Sequence, residues 1–503
     1  MKKIYYNGNI ITLDKVKHAD CVITKDDTII YVGKIKKSQV TLTNEDEYVD
    51  LKGKTLMPAF FEGYGHYIAS IHNQLQLNLH HCHSYATLKD MVAQFETNLK
   101  ENDWIIASNY HIHQWKEKKE MTRLVLDKIT DHPMMVTTID GNTSIFNTKA
   151  LTQLKVKISE KDKGIKTKDE VAQWQDAIPT PTVEQLAKAV ESTNQHYASL
   201  GITTVCESTM TSSILPVYQY MYDNDMLQLD TIGYTDKESY EDFGNYFSDE
   251  YHHHFRLGGI NLILDGQPEA MMAHMKTAYK GTKYYGEPNM SQDQLRDTLV
   301  WANENNISVT LECNGNRTFA NFVKIFKDYD KKEIVSRQYI LTKCSMIEPD
   351  QIYYMRRYGI TPCFDSNKIH DDGDALIGCL GKARCRTINP LKTCKRKRLT
   401  FSLYNNILSG NTMSESIKNS LTRVTKNGIK LNYGEHIKPI DILKALTIHP
   451  AKMYNELQKG SISKGKLANF VVLSDNPLKC KIYELGNIQV ISIIMNGKVI
   501  YQK

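Results

Sequence analysis

The middle of the chain alternates short apolar segments with amphipathic ones, and this alternation constrains the fold more than any other feature. The apolar segments are rich in β-branched residues, which is typical of buried parallel strands. They read TLMPAFF, PMMVTTI, ITTVC, INLIL, SVTLEC, QYILTKC, ITPCF and RLTFSLY. Strands that alternate with helices over this length predict a parallel sheet, and about eight such units predict a (β/α)8 barrel of the TIM type.

Two of the intervening segments carry explicit signals for the start of a helix. Thr182-Val-Glu-Gln185 and Ser291-Gln-Asp-Gln294 both fit the capping box, in which the first and fourth residues satisfy each other's backbone N–H groups. Leucines at helical spacing follow each box, and Gly201 ends the first segment. We therefore predict α-helices in these two connections.

The two ends of the chain are rich in short strands instead. The N-terminal end carries an Asn7-Gly8 turn signal, and the C-terminal end carries Asn496-Gly497 between two β-branched runs. Neither end holds enough apolar residues for a core of its own, so we expect them to pair. The predicted organisation is a composite β-sandwich domain from 1–54 and 440–503, and a TIM barrel from 55–439 with an insertion around 70–130.

Composition excludes several classes of protein. The 503 residues carry a formal net charge of only +6, which gives no case for a nucleic-acid partner. The basic run Lys395–Arg398 is interpreted as a solvated surface loop. The sequence shows neither a secretory signal nor an apolar run long enough for a membrane helix. Ten cysteines without a CxxC pair favour free thiols in a reducing cytoplasm.

Several segments, in order along the chain, carry a family resemblance. LKGKTLMPAFFEGYGHY, NDWIIASNYHIHQW, DHPMMVTTIDGNTSIFNTKAL, VTLECNGNRTFANFV and GSISKGKLANFVVLSD are the most informative of them. Together they resemble the amidohydrolase superfamily, specifically the amidohydrolase family 3 branch that includes N-substituted formamide deformylase-like proteins. The resemblance implies a TIM barrel whose strand ends hold one or two divalent metals. Such a metal lowers the pKa of bound water and polarises the carbonyl of an amide-type carbon–nitrogen bond.

Compared with that family pattern, this sequence has lost most of the expected metal ligands. The metal-site positions of the family fall on Tyr64, His66, Asn261, Glu312, Lys343 and Tyr404. Only His66 keeps its residue type. Asn261 has no amine that could be carboxylated to bridge two metals, and the ammonium group of Lys343 repels a cation. The resemblance therefore implies the family's scaffold with a degenerate metal site.

Glu312 and Lys343 bring opposite charges to neighbouring strand ends. A buried carboxylate and ammonium offset each other's desolvation better than either charge could alone. We therefore predict that Glu312 and Lys343 form an ion pair in the cavity that the family uses for metal.

Other candidates have competing interpretations. Asp265 and Glu207 follow or end predicted strands, where each is either a surviving site residue or a turn carboxylate. His66, Glu207 and Glu312 together could bind one metal, because a histidine with two carboxylates is chemically competent. By family position, the residues that line the substrate pocket are Tyr110, His111, His113, Trp115 and Asn142. Ordinary packing is the competing interpretation for His111 and His113.

Three functions follow as alternatives. The first is a pseudoenzyme that has lost metal-dependent hydrolysis and binds a small molecule, with no cofactor expected. The second is an active hydrolase of carbon–nitrogen bonds with a relocated mononuclear site at His66, Glu207 and Glu312, using zinc or another divalent metal. The third is a scaffold or interaction subunit. We expect no nucleic-acid or membrane partner. The family resemblance also implies a homodimer as one assembly that this chain could form.

Overall fold

The computed structural model of the chain describes residues 1–37, 40–41, 43–79, 82, 84–97, 99–110, 115, 117, 120–138, 143–328 and 339–503. These residues form two compact units. The larger unit combines Met1–Tyr67 with Asn194–Lys503, and the smaller is Ile68–Thr193.

Strands are found along the whole chain. In chain order they are β1 (Lys2–Ile10), β2 (Ala19–Lys25), β3 (Thr28–Gly33), β4 (Glu47–Asp50), β5 (Thr55–Pro58), β6 (Phe60–Gly65), β7 (Leu77–Asn78), β8 (Ile105–Tyr110), β9 (Met134–Thr138), β10 (Thr143–Phe146), β11 (Ile165–Thr167), β12 (Ile202–Met210), β13 (Asp230–Thr235), β14 (Phe255–Ile263), β15 (Ser308–Glu312), β16 (Tyr339–Thr342), β17 (Ile360–Asp365), β18 (Ser402–Tyr404), β19 (Phe470–Leu473), β20 (Val490–Met495) and β21 (Lys498–Gln502).

Helices separate most of the strands after β6. In chain order the α-helices of the described residues are α1 (Tyr67–Leu75), α2 (Tyr85–Glu96), α3 (Arg123–Leu126), α4 (Thr148–Gln153), α5 (Lys168–Ala172), α6 (Val183–Ser199), α7 (Leu215–Asp223), α8 (Tyr240–Gly244), α9 (Gln292–Glu304), α10 (Asn316–Asp328), α11 (Pro349–Tyr358), α12 (Lys368–Leu380), α13 (Leu391–Arg396), α14 (Met413–Thr422), α15 (Pro439–Ala445) and α16 (Ile448–Met453). Both predicted helix starts are confirmed. Thr182 and Gln185 exchange hydrogen bonds before α6, and Ser291 and Gln294 do so before α9.

The larger unit contains the predicted barrel. Eight parallel strands form one sheet in the order β18-β17-β16-β15-β14-β13-β12-β6. The side chains on these strands are almost all buried, as expected when a parallel sheet is covered on both faces. Because all the strands are parallel, their carboxyl ends meet at one end of the barrel, which we call the barrel mouth.

A buried carboxylate joins the first and last barrel strands. Glu62 of β6 is 0% exposed, and both of its oxygens accept the backbone N–H of Asn405 at 3.0 Å. Its Oε1 also accepts the N–H of Asn406 at 3.2 Å. These two residues directly follow β18, so the side chain of Glu62 bridges the seam where the sheet closes on itself.

The two chain ends share one sheet, as predicted. Its eight strands run β21-β20-β19-β5-β1-β2-β3, with β4 paired to β1, and β19 joins the two ends by pairing antiparallel with β5. The turn predicted at Asn496-Gly497 joins β20 to β21, with φ angles of 49° and 74° at its two residues. The turn predicted at Asn7-Gly8 is wrong. β1 continues through these residues with an irregular register, and Asn7 takes a φ of 56° within the strand.

The smaller unit has its own sheet and core. Its five strands run β11-β10-β9-β8-β7 and mix parallel with antiparallel pairs. The core includes Leu88, Val92, Ile105 and Val136. The smaller unit begins at Ile68, close to the start of the insertion predicted around 70–130, and it extends beyond 130 to Thr193. The domain limits predicted from the sequence stay a prediction.

One barrel strand was not predicted from the sequence, and one segment predicted to be a barrel strand lies in the sheet of the smaller unit. PMMVTTI supplies β9 of the smaller unit, whereas the third barrel strand is β13, Asp230–Thr235. β13 contains a glycine and begins at a charged residue, so it lacks the apolar run by which the other strands were found. No helix in the described part of the chain is both long and apolar enough to cross a membrane.

A buried ionic cluster explains the charge at the start of β13. Lys459 is 6% exposed, and its Nζ lies 2.6 Å from Asp230 and 2.8 Å from Glu456. Glu456 also accepts the Nε–H of Arg256 from β14 at 2.9 Å. The segment after α16 is therefore bound to the barrel through compensated charges.

Replacement of Lys459 by alanine should destabilise the protein strongly, because it leaves the carboxylates of Asp230 and Glu456 buried without their ammonium partner. We expect the free energy of unfolding to fall by roughly 3–5 kcal/mol, as is usual when one partner of a buried ion pair is removed. Urea titration followed by circular dichroism measures this loss.

The matched control is Lys464→Ala, which removes an exposed lysine from the same segment. Its effect should stay within about 0.5 kcal/mol, as for most surface substitutions. Equal stabilities for the two variants would show that the Lys459 cluster does not hold the segment.

Candidate functional site

The strand ends carry most of the residues that sequence analysis selected. Tyr64 lies near the end of β6 and His66 follows it, while Glu312 and Tyr404 are the last residues of β15 and β18. Lys343 stands one residue beyond β16. The ladder between β15 and β16 pairs Glu312 with Thr342, which places Lys343 next to the Glu312 carboxylate. Strands from across the barrel therefore direct these side chains into one mouth.

The ion pair predicted between Glu312 and Lys343 is present. The Nζ of Lys343 lies 3.0 Å from Glu312 Oε1, and the Tyr64 hydroxyl donates to Glu312 Oε2 at 2.8 Å. Lys343 Nζ also lies 5.0 Å from the centroid of the Tyr64 ring, within the range of a cation–π contact. Glu312 is 5% exposed, so both carboxylate oxygens are satisfied inside the protein.

Aromatic rings surround this pair. The Tyr64 ring centroid lies 5.0 Å from that of His66 and 5.3 Å from that of Tyr404. Burial and the positive charge of Lys343 lower the pKa of His66 to about 3, so its imidazole is neutral at physiological pH. Burial, together with the neighbouring Glu312, raises the pKa of Tyr64 well above its usual value, so its hydroxyl keeps its proton. The centre of the mouth thus holds one ammonium, one carboxylate and neutral rings.

Asn261 belongs to a separate hydrogen-bond chain. Its Nδ2 donates to Thr209 Oγ1 at 2.6 Å, and its Oδ1 accepts from Thr310 Oγ1 at 2.7 Å. Thr209 has a φ of 60°, a left-handed conformation that is strained for a β-branched residue. This amide chain ties together β12, β14 and β15 at the depth where the family resemblance places a bridging lysine.

Glu207 and Asp265 each accept backbone N–H groups beside a helix start. Glu207 accepts the N–H of Tyr67, the first residue of α1. The oxygens of Asp265 accept the N–H groups of Asn314 at 2.7 Å and Gly315 at 2.9 Å, directly before α10. Burial raises the pKa of Asp265 to about 6, against the opposing effect of these hydrogen bonds. Both carboxylates therefore have a role in holding the loops of the mouth.

Two further charged residues, Asp365 and Lys368, lie at and just after the end of β17 and were not predicted from the sequence. Lys368 is 4% exposed, and its Nζ lies 2.7 Å from Glu269 and 2.9 Å from Asp372. Asp365 accepts the N–H of Asn367 at 2.8 Å. Burial raises the pKa of Asp365 to about 7, although Lys368 opposes the shift. The sequence signal for a site here was Asp365 itself, a charged residue directly after the predicted strand ITPCF.

The residues in the mouth do not fit the metal centre that the family resemblance implies. A divalent metal needs several lone pairs from neutral imidazoles or carboxylates directed at one point. Both oxygens of Glu312 face donors, Lys343 brings a cation to the same carboxylate, and Glu207 accepts a backbone N–H. Within the described ranges, no group of three or more His, Cys, Asp and Glu side chains is arranged to hold a metal ion.

Two of the predicted pocket residues, Tyr110 and Trp115, lie in the smaller unit. Tyr110 and Trp115 are both 2% exposed, and their rings meet edge to face at 5.2 Å within the core of that unit. His111, His113 and Asn142 lie outside the described residues.

Comparison with known proteins agrees with this architecture. A family model described as "Amidohydrolase family" matches residues 47–501. The chain is 22% identical to an inferred amidohydrolase, YtcJ, of Bacillus subtilis (strain 168), with all of both chains covered. It is 20% identical to N-substituted formamide deformylase of Arthrobacter pascens, with 99% of this chain and 98% of that protein covered. A solved structure described as an uncharacterized metal-dependent hydrolase from Pyrococcus horikoshii OT3 superposes with a TM-score of 0.79 at 19% identity, covering 96% and 99% of the two chains.

Glu312 and Lys343 should depend on each other for stability. We expect Lys343→Met to cost roughly 3 kcal/mol, because it leaves the Glu312 carboxylate buried without its cation. The double variant Glu312→Gln, Lys343→Met should lose roughly 1–3 kcal/mol less than the sum of the two single variants. Urea unfolding of the four proteins gives the coupling energy, and additive losses would refute the coupling.

Asp365 should make stability depend on pH. A carboxyl whose pKa is higher in the folded chain binds its proton more tightly there, so its stabilising effect is complete below about pH 4. That effect is lost as the pH rises through the folded pKa of about 7. Asn is an isostere of the protonated acid, so Asp365→Asn should gain stability relative to the wild type, on the order of 3 kcal/mol, between about pH 5 and about pH 8.

Urea unfolding at the two pH values measures this difference. Glu62, with a pKa of about 8, and Asp265, at about 6, shift in the same direction and leave some pH dependence in the variant. The control Asp475→Asn, at an exposed carboxylate, should follow the wild type at both pH values. A constant difference between Asp365→Asn and the wild type would contradict the assignment.

Proposed function

Since the chain belongs to the amidohydrolase family, we propose that it is a member in which small-molecule binding has replaced the metal-dependent hydrolysis of carbon–nitrogen bonds. The observation that carries this proposal is the contact between Lys343 Nζ and Glu312 Oε1 at 3.0 Å. The family resemblance places two metal ligands at these positions. The ammonium of Lys343, paired with the carboxylate of Glu312, thus supplies the positive charge that a metal ion would bring to this cavity.

The contacts around the pair support the same proposal. Tyr64 stands where the resemblance places the first histidine ligand, and its hydroxyl donates to Glu312. A tyrosine that keeps its proton is a donor here and not a metal ligand. Tyr404 stands at the family's proton-accepting aspartate and is a buried ring with a strongly raised pKa. Neither tyrosine can activate water in the way that a metal and a carboxylate do.

Binding of a small polar molecule is supported by unused hydrogen-bonding groups at the mouth. Asn314 and Ser345 are 2% and 1% exposed, and they follow the ends of β15 and β16. Both side-chain atoms of Asn314 and the hydroxyl of Ser345 have no hydrogen-bond partner among the described residues. Buried polar groups normally have partners, so these two side chains offer donors and acceptors to a bound molecule.

The purified wild-type protein should hold far less than one zinc ion per chain, measured by inductively coupled plasma mass spectrometry. A variant with Tyr64→His, Glu312→His and Lys343→His restores histidines around His66 and removes the internal cation. It should bind about one zinc ion per chain, since three or four imidazoles suffice for a zinc site.

The control is the single variant Tyr64→His, which keeps Lys343 and should not gain zinc. Stoichiometric zinc in the wild type, together with hydrolysis of N-substituted formamides, would overturn the proposal in favour of the relocated site at His66, Glu207 and Glu312. A thermal-shift screen of metabolites then tests ligand binding, because a ligand of the folded state raises the apparent Tm. Hits should lose their effect in the Asn314→Leu variant.

A further inference from the structure

Positive charge is concentrated in one part of the chain. Residues 375–414 contain no aspartate or glutamate, and their basic residues are Lys382, Arg384, Arg386, Lys392, Lys395, Arg396, Lys397 and Arg398. The net charge of the whole chain is only +6, so the remaining residues carry a slight negative balance. The net charge of the whole chain therefore does not reveal this strongly basic segment. The expectation that there is no nucleic-acid partner rested on that net charge alone.

The structure brings part of this segment against a second basic helix. The outward side of α13 and the turn after it expose Lys392, Lys395, Arg396 and Arg398, while Leu391 and Cys394 are buried. Arg356 of α11 donates through Nη1 to the carbonyl oxygen of Lys397 at 3.4 Å. We call the combined surface the basic rim, which consists of Tyr353, Arg356, Arg357, Lys392, Lys395, Arg396, Lys397 and Arg398.

The basic rim lies at the end of the barrel opposite the mouth. α11 leads directly into β17 at Ile360, and α13 leads into β18 at Ser402. The C-terminal ends of both helices therefore lie where barrel strands begin. The rim is separate from Glu312, Lys343 and the other residues on which the proposed function rests.

Most of the charge on the rim is uncompensated. Lys395 lies 2.5 Å from Asp441, and the described residues provide no carboxylate within ion-pair distance of the other rim cations. Lysines and arginines in the last turn of a helix stabilise the negative end of its dipole, which accounts for part of the pattern. That effect is confined to the last turn and does not account for Lys392 or Arg398.

An exposed aromatic side chain lies among these cations. Tyr353 is 55% exposed, and its hydroxyl accepts a hydrogen bond from Arg357 Nη1 at 3.2 Å. Tyr353 and Tyr354 meet edge to face at 5.3 Å, and more than half of the Tyr353 side chain is still exposed to solvent. A tyrosine and a guanidinium side by side on a positive surface are the groups on which nucleic-acid bases stack.

We propose that the basic rim binds single-stranded nucleic acid. Its cations would contact the phosphates, and Tyr353 with Arg357 would stack against a base. A membrane surface is the other polyanion that attracts clustered lysines and arginines, but stable membrane binding also needs an apolar group that inserts. Apart from Pro349 at its start, the described residues of α11 expose no aliphatic side chain, and those of α13 expose none, so the rim fits nucleic acid better.

Fluorescence anisotropy with labelled oligo(dT) and oligo(rU) of about 20 nucleotides tests the proposal on the full chain. The wild type should bind both, and its affinity should fall steeply between about 50 and about 200 mM salt. The variant Arg396→Ala, Lys397→Ala, Arg398→Ala should bind at least about tenfold more weakly, with a shallower dependence on salt. Tyr353→Ala should weaken binding about fivefold or more without changing that dependence, because stacking releases no counterions.

The charge-matched control is Lys479→Ala, Lys481→Ala, Lys498→Ala, which removes three exposed lysines elsewhere in the larger unit and should bind as the wild type does. The altered residues are at the surface, and circular dichroism verifies that each variant is folded. Absent binding at the lower salt concentration, or equal losses in the two triple variants, would overturn the proposal. So would rim-dependent binding to phosphatidylserine vesicles with no binding to either oligonucleotide.

Discussion

A buried carboxyl group joins the two edges of the barrel sheet at its seam. Glu62 receives the N–H groups of Asn405 and Asn406, and so joins the first strand to the chain that follows the last. A parallel barrel leaves no free sheet edge only if its first and last strands are held together. Closure brings β6 and β18 side by side, and this is why the tilted rings of Tyr64 and Tyr404 meet with their centroids 5.3 Å apart.

Within the mouth, desolvation explains why Glu312 and Lys343 lie together. A lone buried Glu312 would be costly, and so would a lone Lys343, but together they satisfy each other and also use the hydroxyl and the ring of Tyr64. Lys343 reaches this position with a φ of 55°, so its backbone adopts a left-handed conformation that non-glycine residues rarely take. Burial, together with the same cation, lowers the pKa of the neighbouring His66 and keeps its imidazole neutral.

The sequence predicted the features that depend on local pattern or on neighbouring strands. The helix starts before α6 and α9, the pairing of the chain ends and the Glu312–Lys343 contact all belong to this class. β13 was missed because it begins at a charged residue. The buried Asp230 is compensated by Lys459, more than two hundred residues away in sequence, and it also contacts the imidazole of His254. Glu62 was missed because nothing local shows that its partners are backbone groups after the last strand. Such contacts depend on tertiary structure, which one sequence does not display.

Burial also separates two kinds of charge in this protein. The buried lysines Lys368 and Lys459 lie 2.7 Å and 2.6 Å from a carboxylate, because an unpaired ammonium in the interior would destabilise the fold. The partly buried Lys343 lies 3.0 Å from Glu312. The exposed cations of the basic rim are under no such constraint, because water solvates them. Stability therefore explains the paired lysines but, through the helix dipoles, only part of the rim. An uncompensated cluster beside an exposed aromatic ring is better understood as a surface that meets a polyanion, and its position at the strand starts allows it to act independently of the mouth.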